Sequence, residues 1–201
     1  MQNTDLDRER NADRCAIKNG TVVLMIITLC NFIVNSLSVG DDIARSGGNE
    51  HWASPWIWEG TSALVILLLI PGVLQVARYY PVESGRWMRW LPVHIITCLV
   101  FSALHIALMY GLRFTIIPVI TGGEYEPAGS ALMNIIYELR KDAVSYALIV
   151  FTFHMSRLFE IHRMEIEAAR EDAQTRHKLT LKCGGRVLRL DIDDIVWVKA
   201  A

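Results

Sequence analysis

"LPVHIITCLVFSALHIALMYGL", Leu91 to Leu112, is the stretch on which the fold turns. It contains no Asp, Glu, Lys or Arg. A helix rises about 1.5 Å per residue, so a run of this length crosses a hydrocarbon layer about 30 Å thick. Its polar residues, His94, Thr97, Cys98, Ser102 and His105, are few, and the two histidines lie about three turns apart on one helical face. Polar groups are costly in hydrocarbon, so such a face turns inward, against other helices.

Two more runs have the same character: Gly20 to Val39 ("GTVVLMIITLCNFIVNSLSV") and Ile57 to Ala77 ("IWEGTSALVILLLIPGVLQVA"). A fourth, Ala143 to Phe159, is shorter, and the preceding "ALMNIIYELRKD" can extend the same helix with Arg140 and Lys141 snorkelling to an interface. Pro71 lies within the second span, where a kink is expected. With 52% hydrophobic residues gathered in these blocks, the class is membrane rather than soluble. Twenty basic against 21 acidic residues rule out a nucleic-acid-binding tail read from bulk charge alone.

Charge placement sets an expected orientation. Basic residues gather in the N-terminal tail (Arg8, Arg10, Arg14, Lys18), between spans two and three (Arg78, Arg86, Arg89) and after span four (Arg157, Arg163, Arg170, Arg176, Lys178). The positive-inside rule makes those segments cytoplasmic, so both termini are expected to be cytoplasmic in a multi-pass membrane protein. The remaining loops, 40–56 and 113–130, face outward. Trp52, Trp56 and Trp58 at the outer end of span two, with Trp87 and Trp90 at the inner end of span three, fit the aromatic belts of the two interfaces. No cleavable leader follows the mixed-charge N-terminus. The four cysteines, Cys15, Cys30, Cys98 and Cys183, are too scattered for a zinc site or a disulfide framework.

Within the spans, Thr28, Asn31 and Asn35 share a face of span one. By depth, Asn35, Glu59 and His105 meet in the outer half as a candidate sensing pocket, and His94 and His154 form an inner polar pair. Two readings stay open: hydrogen bonds that fix helix packing, or a pocket for a small ligand, a proton or a quinone-like molecule. No GxSxG, GxxxxGK[ST] or HExxH pattern is present, so no catalytic residue, metal or cofactor is expected and the chain does not read as an enzyme.

After span four, "RLFEIHRMEIEAAREDAQTRHK" has no Gly or Pro and reads as one helix leaving the membrane, a solvated spacer or a dimer helix with Leu158, Ile161, Glu165, Ala168 and Asp172 along its seam. In "LTLKCGGRVLRLDIDDIVWVKAA", Leu179, Leu181 and Cys183 alternate with polar residues, Gly184-Gly185 supplies a tight turn, and Leu188, Leu190 and Ile192 alternate on the return. The expected fold is therefore an all-α membrane four-helix bundle with a helical cytoplasmic linker and a short β hairpin beginning a mostly β domain. Its parts are an N-tail at 1–19, a membrane domain at 20–159 (spans 20–39, 57–77, 91–112 and 143–159), a linker at 160–178 and first strands at 179–201.

The segment "LKCGGRVLRLDIDDIVWVKA", with its glycine turn, its "DDI" step and Trp197, resembles the start of the LytTR DNA-binding domain of LytR/AlgR-type bacterial transcription regulators. The membrane part, through "WEGTSALVILLLIPGVL" and "HIITCLVFSALHIALMYGLR", is similar to the four-span sensor attached to some LytTR regulators and some LytS-like histidine kinases. The resemblance implies a regulator anchored in the bacterial inner membrane, with a C-terminally truncated output domain. DNA is then its partner through the completed domain and the bilayer its solvent, and the dimer-helix reading of the linker adds a homodimer to the expected partners. That family reads DNA with later strands, so no DNA-contacting residue carries over to this sequence. A LytS-like kinase is the alternative; it needs a phosphoacceptor His in a "PHFxxN"-like setting, which neither His162 nor His177 has. A non-catalytic membrane partner protein is the third reading.

Overall fold

The computed structural model describes the backbone at residues 2–48, 50–82, 85, 87–127, 129–176, 178–183 and 186–191, and side chains at 10–11, 13–48, 50–82, 85, 88–127 and 129–173. The elements in chain order are α1 (Gln2–Ser46), α2 (Ser54–Tyr79), α3 (Trp87–Thr121), α4 (Ala131–Arg176), β1 (Lys178–Cys183) and β2 (Arg186–Asp191). Each of the four helices is long and apolar enough to cross a membrane, which makes this a multi-pass membrane protein.

The connections carry recognisable local signals. Gly47, at φ 71°, ends α1, and the N–H of Gly48 reaches back to the carbonyl of Ile43 at 3.1 Å. Pro55 sits in the first turn of α2, where a missing N–H costs nothing. Gly122, also at φ 71°, stops α3 by donating to the Pro118 carbonyl at 3.1 Å. Ser130 caps α4, its Oγ accepting from the Met133 N–H at 3.3 Å.

These ends correct the expected boundaries. α3 does not stop at Leu112: it continues through Arg113 to Thr121, nine residues into the stretch expected to be loop. Arg113 is tied into the bundle by one hydrogen bond from each guanidinium nitrogen: Nε donates to Thr61 Oγ1 (3.2 Å), Nη2 to the Trp58 carbonyl (2.8 Å) and Nη1 to Tyr125 OH (3.4 Å). α1 begins well before Gly20, and α4 begins at Ala131 and ends at Arg176, so Lys178 opens β1 instead of closing the linker. α2 is helical through Pro71.

The chain divides after Arg157 into two units. In the first, α2 packs closely on both α1 and α3, and α4 joins through side chains. Ala16, Leu24, Ile70, Val73, Leu74, Ala77, Phe101, Tyr146, Ile149 and Phe153 form the apolar core. Large apolar residues such as Ile95, Ile96, Leu99 and Val100 point outward on α3, as lipid-facing positions do. Hydrocarbon rewards such faces as much as burial would, so close approach and hydrogen bonds must hold the helices together. Gly20 is one such approach: a Cβ there would lie 3.4 Å from Ser156 Oγ on α4.

In the second unit β1 and β2 pair antiparallel, with Leu179 opposite Leu190 and Leu181 opposite Leu188. The expected glycine turn at Gly184-Gly185, Ile192 of the expected return strand and the expected apolar run at 195–200 lie outside the described residues.

Candidate functional site

The polar face of α3 meets α2 and α4 in one buried line. His105 is 1% exposed; its Nε2 lies 3.1 Å from Ser62 Oγ on α2 and its Nδ1 2.7 Å from Asp142 Oδ1 on α4. Asp142, also 1% exposed, accepts from Ser102 Oγ at 2.6 Å through its other oxygen. A proton on Nδ1, which faces the carboxylate, leaves Nε2 of a neutral imidazole to accept from the Ser62 hydroxyl. Three helices are thus stitched through a single histidine at mid-bundle.

The order Ser, His, Asp is that of an activated nucleophile. Ser62 lies inside α2, however, where its backbone N–H is spent on the helix ladder. The line therefore brings no backbone oxyanion donors with it. Its geometry suits holding the three helices together.

Ser62 also borders a half-open cavity of about 620 Å3 between α1 and α4, with α2 behind it. Such a volume suits a small amphiphile. The polar face of span one supplies Thr28, Asn31 and Asn35, α2 adds Glu59, and α4 adds Arg140 and Lys141. Asn35 Nδ2 donates to Glu59 Oε2 across a long 3.5 Å. Lys141 stands 3.7 Å from Glu138 and over the Tyr137 ring at 5.3 Å. Among the described residues, no ion pair joins Glu59 to either cation.

Nearer the start of α3 and the α2–α3 connection, His94 uses both ring nitrogens. Nε2 donates to the Tyr80 carbonyl at 2.9 Å, and Nδ1 therefore accepts from Tyr146 OH at 2.7 Å. His154 is half-buried beside Pro81 and Arg157, along a crevice of about 10 Å3, hardly room for one water. Nearby, Asp13 of α1 takes Arg78 Nε (3.2 Å) with one oxygen and Arg157 Nε (2.9 Å) with the other.

Of the residues named from sequence, Asn35 and Glu59 touch and share the cavity, while His105 stands behind its wall and reaches it only through Ser62. His94 is partnered by Tyr146 and Tyr80 rather than by His154. Sequence reasoning missed Ser62, Asp142, Tyr146 and Asp13. A signal existed for two of them: Asp142, Tyr146, Ile149 and Phe153 follow helical spacing along one face of α4, and all four are buried. Asp13 carried none, because one acid in a mixed-charge N-terminal stretch reads as tail. Comparisons with protein-family models, with curated proteins and with solved structures find no match.

Proposed function

We propose that this chain is the membrane sensor of a LytTR-type transcription regulator, with both termini in the cytoplasm of a bacterial cell. The observation that carries the sensor reading is the cavity: Glu59, Arg140, Asn31 and Asn35 are charged or polar, border one space, and would be expensive to leave toward lipid without a purpose. α4 both lines that cavity and is the helix from which the linker is built, so a ligand that alters its packing can alter a linker dimer. The output reading rests on the sequence pattern from Leu179 onward, which begins a mostly β DNA-binding domain.

The test compares the 201-residue chain with a version continued through a complete LytTR domain, in a gel shift at near-physiological salt on the protein's own promoter region. The continued version is expected to bind a defined site and the 201-residue chain to bind none, because the strands that read DNA come later. Specific binding by the short chain, or none by the continued one, overturns the assignment.

A further inference from the structure

We propose that the cavity between α1 and α4 is a site for a zwitterionic amphiphile, an ethanolamine-type phospholipid head with its acyl chain running toward the apolar core; this rests on the sensor reading of the same cavity. Three observations lead there. First, the lining is graded. Asn35, Glu59 and Arg140 border one part of the space, while Leu24, Ile66 and Ile149 border it nearer the core, to which Leu24 and Ile149 belong. A head and a tail are both provided for.

Second, the head region carries both signs of charge without neutralising itself. Glu59 has only the long contact from Asn35, Arg140 makes no ion pair among the described residues, and Lys141 is shared with Glu138 and the Tyr137 ring. A purely anionic head would gain from Arg140 and Lys141 but suffer Glu59, and a purely cationic head the reverse. A head that carries a phosphate and an ammonium satisfies both, the phosphate by charge-assisted bonds from the guanidinium. Third, Glu59 and the Asn35 side-chain carbonyl are hydrogen-bond acceptors, which suit an ammonium with N–H groups. A quaternary ammonium has none to give and is held by several aromatic faces; among the described residues the aromatics that border this cavity are Phe32 and Tyr137, and the Tyr137 ring already faces Lys141.

The experiment is native mass spectrometry of the purified chain, released from detergent and challenged with equal amounts of single-chain lipids bearing phosphoethanolamine, phosphocholine or phosphoglycerol heads. Wild type is expected to retain the ethanolamine lipid about tenfold over each of the others, the ratio of one added charge-assisted hydrogen bond. Glu59→Gln should erase the preference over phosphoglycerol, and Arg140→Gln should weaken all three. Water-soluble phosphoethanolamine is the fourth arm: failure to compete assigns the site to a lipid, and competition at comparable concentration overturns the amphiphile assignment in favour of a soluble ligand. Equal retention of the three heads, or a preference untouched by Glu59→Gln, overturns the proposal. A promoter reporter in cells carrying Glu59→Gln separates the two readings. Changed output with no head preference in vitro removes the ligand class and leaves a sensor; a clear preference with unchanged output removes the sensor and leaves a lipid site.

Discussion

His105 connects three helices with one ring, and its removal should be felt far beyond its own volume. Truncating Asp142 leaves His105 Nδ1 and the Ser102 hydroxyl buried with nothing to face, and each buried polar group left unsatisfied costs about 1–3 kcal/mol. Asp142→Ala is therefore expected to lower the thermal unfolding midpoint strongly in detergent micelles, followed by circular dichroism. Tyr146→Phe removes only the hydroxyl that His94 Nδ1 accepts, and should cost about 1 kcal/mol. If the two variants unfold alike, the Ser102–Asp142–His105–Ser62 line is not what holds α3 to its neighbours. Asn35 and Glu59 share a weaker contact, consistent with groups available to a ligand.

At the scale of elements, α1 and α4 meet where α1 is small. Ala16 and Leu24 are buried on the same α1 face as Gly20, one turn to either side of it. Since a Cβ at position 20 would meet Ser156 Oγ at 3.4 Å, ordinary van der Waals contact, Gly20→Ala should be close to neutral, whereas Gly20→Leu must push the helices apart and cost about 1–3 kcal/mol. Equal stability of the leucine and alanine variants would show that the helices are not in contact there. Asp13 works with the same contact by binding Arg78 and Arg157 at once. Asp13→Asn should destabilise by about 1–3 kcal/mol, and restoring stability by also replacing both arginines with glutamine would identify stranded charge as the cause.

At the scale of the molecule, four spans put the 47–53 and 122–130 connections on one side of the membrane and the start of α3 on the other. Single cysteines at His51 and Tyr125, in a background without the four native ones, should both react with an impermeant thiol reagent on intact cells. Labelling of one and not the other contradicts the four-span fold itself, and protection of both with labelling at Arg89 reverses the orientation expected from the basic residues.

Four spans, their order and the inward face of α3 were legible in sequence because hydrocarbon thickness and the cost of polar groups in lipid act on single helices, one residue pattern at a time. Thr28, Asn31 and Asn35 were legible together for the same reason, and all three border the cavity. Where α3 ends was not, because Arg113 is a loop residue or a helix residue according to whether Trp58, Thr61 and Tyr125 come within reach of its guanidinium. Nor were the partners of the polar face: His105 meets Ser62 and Asp142, and not Asn35 or Glu59, because helix rotation and vertical register are set by packing between helices that lie far apart in the chain. Periodicity says which groups turn inward; only the tertiary structure decides which of them meet.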